Sequence, residues 1–264
     1  MIGRAIAAAR DAAAEVVIVD SGSTDATLAI AEAAGARVFR QEWLGNGRQK
    51  RFAEDQCRND FVLDLDADEI VTPDLAAEIR SLFAAGTPAR SIYELKVVTV
   101  PPVGGQWPNF MVAHRRKLYN RRVVRAPDHK EWDQFDVPVG VPVGRLSGEL
   151  LHHSYRDFAH IAEKLNRIST NRALKGRQSG RTVVALRVLF ALPFYFIKHL
   201  VFRGLFRGGI YGFAIAGIAA HGRWLRDAKM YERLLDDRAR KAEEKAAPDP
   251  VSNSQPERAD SPHR

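Results

Sequence analysis

The sequence has a single cysteine, Cys57, among its 264 residues. That excludes an intramolecular disulfide and every zinc-type cysteine pair, and it fits a reducing compartment on the cytosolic side. An apolar run of transmembrane length is also missing. Val188 to Ile197, ten residues bounded by Arg187 and Lys198, is the longest strongly apolar stretch of the basic region, and it carries Pro193, whereas a helical span takes about 20 residues. The start lacks a secretory signal pattern, because Met1 to Ala14 is Ala-rich and holds Arg4, Arg10 and Asp11, so no export is expected. No internal repeat is visible.

An acidic excess is absent too. Against 32 acidic residues stand 40 basic ones, giving +8 and a pI near 9.8, a balance that suits nucleic acid, an anionic membrane or phosphorylated substrates. Acids gather between Asp55 and Glu78, whereas bases gather from Lys164 to Arg226 beside the most apolar part of the chain. That pairing favours a membrane surface. A phosphate-tracking patch would be more polar and more densely basic, which argues against nucleic acid as the partner. With 45% hydrophobic residues the chain can bury one sizeable core, or one core and a smaller appendage.

What is present first is alternation. An Ala-rich helix to about Ala14 is followed by a strand at Val16-Val17-Ile18-Val19, a polar turn and a second Ala-rich helix from about Ala26. A short strand at Arg37-Val38-Phe39, a helix from Gly45-Asn46-Gly47 to about Cys57, and a strand at Phe61-Val62-Leu63 with Leu65 come next. The pattern predicts a mostly parallel α/β sheet with ligands beyond the carboxyl ends of its strands. A helix over Asp74 to Ala85 and a strand over Ile92 to Val100 follow, while Pro101 to Pro142 reads as irregular loops and short strands over the site. The pattern is helical again from Tyr155 to Leu174. Apolar residues with interposed bases fill Arg181 to Tyr231, and a Pro-, Ser- and charge-rich tail predicts disorder.

Chemistry concentrates at two turns. Asp64, Asp66 and Asp68 alternate at a strand end beside Glu69, and such a density of carboxylates is self-repulsive without a cation. A hard ion with oxygen ligands, Mg²⁺ or Mn²⁺, completed by a diphosphate, fits it; a solvated loop opening the next helix is the plainer alternative. An EF-hand starting at Asp64 fails, since its sixth and twelfth positions hold Glu69 and Leu75. A haloacid dehalogenase-type phosphatase shares strand-Asp-x-Asp but has no later Gly-Asp-x-x-x-Asp here. The earlier turn, Asp20-Ser21-Gly22-Ser23-Thr24-Asp25, closes the first strand, and Ser23-Thr24-Asp25 also suits a helix N-cap.

Together with Gly47-Arg48-Gln49-Lys50, Asp66-Ala67-Asp68, Leu150-Leu151-His152-His153-Ser154-Tyr155 and Glu163-Lys164-Leu165-Asn166-Arg167, that turn resembles family 2 glycosyltransferases of the GT-A (Rossmann-like) fold, and more narrowly bacterial lipopolysaccharide core glucosyltransferases of the WaaE type. The resemblance covers roughly residues 1 to 235. It implies nucleotide-sugar binding by Asp20, Ser21, Gly22, Ser23, Lys50 and Asp66, and a Mg²⁺ or Mn²⁺ ion held by Asp66 and Asp68. Family members normally begin with a strand that this chain lacks, starting instead at the first helix. Within Asp128-His129-Lys130-Glu131-Trp132-Asp133, Glu131 and Asp133 are the candidate catalytic bases, and Trp132 offers a sugar-stacking face. His152 and His153 suit a pocket wall or a metal neighbour, and Arg115, Arg116 and Lys117 suit a solvated basic strand edge.

The expectation is thus a metal-dependent inverting transferase that moves a hexose, glucose foremost, from a UDP-sugar to a lipopolysaccharide core or other lipid-linked glycan acceptor. It would sit peripherally on the cytoplasmic face of the inner membrane. The alternatives are a truncated noncatalytic membrane-binding relative and the phosphatase. Residues 1–155 are expected to form the catalytic domain, 156–238 a helical membrane-interfacial region with amphipathic helices, and 239–264 a disordered tail.

Overall fold

The computed structural model describes residues 1–246 except 104, 106, 108–110 and 176–178, with side chains described to residue 240. The first half runs α1 (Ile2–Arg10), β1 (Val17–Asp20), α2 (Thr27–Ala33), β2 (Arg37–Arg40), α3 (Asn46–Gln56), β3 (Phe61–Leu63), β4 (Glu69–Val71), α4 (Pro73–Ala84), β5 (Ile92–Thr99), β6 (Val112–Asn120) and β7 (Val143–His152). Helices α5 (Phe158–Lys175), α6 (Arg181–Ile197) and α7 (Gly209–Ala246) follow, with a π-helical turn at Lys198–Phe202 and a 3-10 turn at Leu205–Gly208 between the last two. Two compact units emerge. One is Met1–Ile161 with Leu200–Phe213, and the other is Ala162–His199 with Ala214–Arg264.

The first unit is α/β, as expected. Strands β1 and β2 pair in parallel, and a separate five-stranded sheet runs in the order β3-β6-β5-β7-β4. The parallel character expected of the whole is narrower than the pattern suggested: within the larger sheet only β5 and β7 are parallel, and the other three pairings are antiparallel. The reason is that β4, β6 and β7 were not legible as strands, so only the alternating strand–helix part was available for inference.

Strand β5, flanked by β6 and β7, is covered on both faces, so Ile92, Tyr93, Leu95, Val97 and Val98 are all buried. On one face Val71, Leu75, Ile79, Leu95, Leu118 and Leu150 form the main core, against which Ala8 and Ala12 also pack. On the other, Ile92 and Tyr119 pack with Val124 and Phe135. Helix α4 starts as its sequence requires: Thr72 caps it by accepting from the Leu75 N–H at 3.3 Å, and Pro73 occupies the first turn, where its missing N–H costs nothing. It docks on β7 at Gly148, where a Cβ would stand 2.4 Å from Leu75 Cα.

In the second unit α7 packs on α5 and α6. Lys229 Nζ donates to Asn166 Oδ1 at 2.6 Å, Thr170 Oγ1 at 2.7 Å and Ser169 Oγ at 3.0 Å, and Trp224 Nε1 donates to the Val188 carbonyl at 3.0 Å. Helix α7 continues to Ala246, into the segment expected to be disordered; the remaining tail, 247–264, lies outside the described residues. The apolar run at Val188 is likewise longer in structure than in sequence. Helix α6 and its π-helical turn make one 22-residue helix, Arg181–Phe202, which carries Pro193 without breaking and is long and apolar enough by those criteria to cross a membrane.

Candidate functional site

Helix α3 is strongly polar, Asn-Gly-Arg-Gln-Lys-Arg-Phe-Ala-Glu-Asp-Gln, with almost no apolar face. Its inward face is polar because it carries the site. Lys50 and Glu54, one turn apart, point the same way. Lys50 Nζ lies 2.9 Å from Asp64, 3.1 Å from Asp66 and 2.8 Å from Asp133. Glu54, only 1% exposed, accepts from the Tyr119 hydroxyl, the Arg125 guanidinium and the Ala126 N–H. Four of the residues singled out in the sequence, Lys50, Asp64, Asp66 and Asp133, therefore meet at one ammonium.

A second ammonium was read as a solvated edge, and the structure corrects that. Lys117 is 3% exposed on β6, the strand between β3 and β5, with its Nζ 2.6 Å from Glu69, 3.6 Å from Asp66 and 4.0 Å from Asp64. The Asp64 N–H donates to the Lys117 carbonyl at 2.7 Å, which seats the acidic segment against this strand. Four carboxylates, Asp64, Asp66, Glu69 and Asp133, thus meet two lysines. Carboxylates outnumber ammonium groups in this cluster.

The carboxyl groups respond accordingly. Burial opposes ionisation of Asp66, but Lys117 and then Lys50 more than offset it, and its pKa falls to about 2. For Glu69, 2% exposed, burial prevails over Lys117 and the carboxyl is pushed up, helped by the neighbouring charge of Asp66. Lys117 stays charged: its burial is outweighed by Asp64, Glu69 and Asp66. Because the folded Asp66 value lies below the ordinary 3.8, its contribution to stability is present above that pH and is lost as pH falls toward 2. Acid titration of Asp66→Asn, followed by circular dichroism, is expected to show a flatter loss of stability between those limits than wild type.

Asp66 and Asp68 do not face the same partner. The segment closes as a turn, with the Glu69 N–H on the Asp66 carbonyl and the Asp66 N–H on Glu69 Oε2, both at 2.9 Å. The turn sends Asp66 to the lysines and Asp68 to His152, whose Nε2 is 3.3 Å from Asp68 Oδ2. Burial works against the Asp68 charge, and the His152 hydrogen bond more than compensates, so its carboxyl lies below the ordinary range. The His153 N–H donates to the Asp68 carbonyl at 2.9 Å, which fixes the turn to the end of β7. No group of three or more His, Cys, Asp or Glu side chains is arranged to hold a metal among the described residues. Asp68 and His152 lie together, with the Ser154 hydroxyl 2.8 Å from His152 Nε2, and an ion of the Mg²⁺ kind takes one or two carboxylates and completes its shell with substrate phosphate and water.

The turn after β1 is built by its own aspartate. Asp20 Oδ2 accepts from the Gly22 N–H at 2.9 Å and the Ser23 N–H at 3.0 Å, and Gly22 takes φ 111°, which glycine tolerates. The hydrogen bonds from Ser23, acting against burial, hold the Asp20 carboxyl below its usual value. Gln49, named in the sequence only within the Gly47-Arg48-Gln49-Lys50 motif, ties this turn to α3. It is buried, donates to Ser21 Oγ at 3.2 Å and to the Gln41 carbonyl at 3.3 Å, and sits next to Lys50.

The loop with Glu131 and Asp133 is clamped to the start of α3. The Asn46 and Gly47 N–H groups donate to the Lys130 and His129 carbonyls at 2.8 and 3.1 Å, and Asn46 Nδ2 donates to the Glu131 carbonyl at 2.8 Å. Gly47 has no room for a side chain, since a Cβ would lie 2.3 Å from the Pro127 carbonyl oxygen and 2.5 Å from that of Trp132. Asp133 turns to Lys50, whereas Glu131 and Trp132 are exposed. Trp132 and His129 line an open groove with Arg125, Gln134 and Asp136, and the aspartates that meet Lys50 are not among its lining residues.

Residues 1–138 match the family described as glycosyl transferase family 2. The chain belongs to that family. This transferase is 32% identical over 244 residues to an uncharacterized glycosyltransferase of Rickettsia felis, covering 89% of this chain and 86% of the relative. It is also 32% identical over 230 residues to the lipopolysaccharide core biosynthesis glycosyltransferase LpsC of Rhizobium meliloti, covering 83% of each. Its likeness to the crystal structure of S. aureus TarS 1-349 is looser, with TM-score 0.38 and 15% identity over 86% of this chain and 82% of that one. As a glycosyltransferase it takes a nucleotide-sugar donor and a glycan acceptor, and the phosphatase reading is set aside.

Proposed function

We propose that this transferase moves a hexose, glucose foremost, from a UDP-sugar to a lipid-linked glycan such as a lipopolysaccharide core, with inversion and with Mg²⁺ or Mn²⁺. The observation that carries the reading is the convergence of Lys50 with Asp64, Asp66 and Asp133, beside Asp68 and His152, at the ends of β1 and β3. A nucleoside diphosphate brings two phosphates to a pocket already rich in carboxylates, so a cation must come with it. Asp68 with His152 would hold that ion, which supplies Lewis-acid charge to the diphosphate. Asp66, matched by two lysines, would face the ribose rather than the ion. Lys50 would exchange a carboxylate for a diphosphate oxygen, and the Asp20 to Ser23 turn would receive the base.

On the acceptor side Glu131 is the proposed base. Asp133 is committed to Lys50, while Glu131, two residues away, is exposed and would meet the acceptor hydroxyl. Trp132, beside it, offers a face for a sugar ring. The LpsC relative supports a core-glycan acceptor.

An exposed apolar stripe supports a membrane-surface location. Val183, Leu186, Phe190, Phe194, Ile197 and Val201 recur at three- and four-residue spacing along one helix, and all are exposed. A spanning arrangement would take the partner face of α7 with it. The Trp224 bond to Val188 and the Arg223 bond to Tyr195 place Arg223, Arg226 and buried Asp227 level with the middle of α6, where the hydrocarbon centre would be. That cost favours a helix lying in the interface.

The test is UDP release from a panel of UDP-sugars with Mn²⁺, using detergent-extracted lipopolysaccharide core as acceptor. UDP-glucose is expected to give acceptor-dependent release, and Glu131→Gln to lose about 10²–10⁴-fold of it with donor binding retained. A folded sample inactive with every sugar would favour a noncatalytic membrane-binding relative.

A further inference from the structure

Several cations of the second unit are held by oxygens: Lys229 by four of α5, Arg233 by the Ala173 carbonyl and Arg226 by Asp227. Two are different. Arg223 donates to the Tyr195 hydroxyl at 2.9 Å and lies 4.8 Å from the centre of its ring, while Lys198 Nζ lies 5.7 Å from the same centre. Neither has a carboxylate within ion-pair distance among the described residues. Two cations around one ring gain from its quadrupole but repel each other. Tyr195 registers the surplus: the Arg223 hydrogen bond, outweighing burial, draws its phenol below the ordinary value, and the charges of Arg226 and Lys198 add to this.

The cluster borders the exposed stripe of α6. Tyr195 and Lys198 flank Phe194 and Ile197 in sequence, which are 61% and 53% exposed, and Arg187 stands three turns before Lys198 on the same edge. We propose that Lys198, Arg223 and the Tyr195 hydroxyl form a binding site for the phosphate of an anionic phospholipid headgroup, with Phe190, Phe194 and Ile197 inserted among the acyl chains beside it. Charge complementarity selects the occupant. A neutral protein partner would cover the stripe but leave two cations unmatched, whereas a headgroup phosphate supplies the anion at the depth where an in-plane helix places its edge. The site rests on the membrane-surface reading above and adds a headgroup preference to it.

Co-sedimentation of the full chain with vesicles of phosphatidylcholine, with and without phosphatidylglycerol, tests both. Wild type is expected to bind the phosphatidylglycerol vesicles at least tenfold more tightly. Lys198→Gln/Arg223→Gln should erase most of that preference, while Arg58→Gln/Arg238→Gln, which removes the same charge elsewhere, should change it less than about twofold. Phe190→Ser/Phe194→Ser should weaken binding to both vesicles. If wild type binds neither vesicle, the membrane reading itself falls. If the serine variant loses binding but the Lys198/Arg223 variant behaves as the charge control, the headgroup site is overturned and the membrane reading stands.

Discussion

Replacing Lys117 by methionine is expected to lower the unfolding free energy by about 3–5 kcal/mol, because it leaves Glu69 buried without its 2.6 Å partner. The shape of the side chain is nearly kept, so the loss is electrostatic rather than a cavity. Two companion measurements separate the causes. Lys117→Met/Glu69→Gln should recover most of the urea midpoint, since removing both charges of a buried pair is far less costly than removing one. The single variant should also be least destabilised at acid pH. Glu69 already has a raised pKa, so its protonated form is favoured in the fold below the ordinary value of 4.5, and the variant's deficit grows as pH rises through its folded value. A single variant as stable as wild type at neutral pH would mean that Lys117 is solvated.

Replacing Lys50 by alanine should lower kcat/KM by about 10²–10³-fold, the scale for losing one preorganised charge at a developing anion. Asp64, Asp66 and Asp133 would lose their common partner, so the 128–133 loop would also loosen against α3. Hydrogen exchange at residues 129–133 is expected to speed up in the variant even without donor. Lys50→Arg should rescue poorly, because a planar fork cannot take the place of a compact ammonium set among three carboxylates. Unchanged turnover in Lys50→Ala would remove it from the donor site.

Much of the first half of the fold was legible because it is built from local signals. The strand–turn–helix at Val17 to Ala33 and the helix expected from Asp74 are short-range patterns, and each lies close to where its pattern put it. Strand β6 was hidden for a physical reason. Its alternation is broken by Lys117, a charge pointing inward, so the residue that answers the acidic cluster is also the one that disguises the strand. Strand β7 was masked by Gly144 and Gly148, the latter needed for the approach of α4. Glu54 and Gln49 left one usable trace: a helix as polar as α3 has no apolar face to bury, and its i, i+4 pair Lys50 and Glu54 had to meet polar partners. The divergence of Asp66 and Asp68 depends on the turn at Glu69 and on His152, 84 residues beyond Asp68, which no local spacing encodes.

Under the proposed function, the carboxylate cluster binds a nucleotide-sugar together with a divalent ion held at Asp68. The most direct measurement is calorimetry of UDP-glucose binding with and without Mn²⁺, for the wild-type chain and for Asp68→Ala. Binding is expected to require the metal in wild type and to disappear in a folded Asp68→Ala. Binding equally tight without metal, or unchanged by Asp68→Ala, would contradict it.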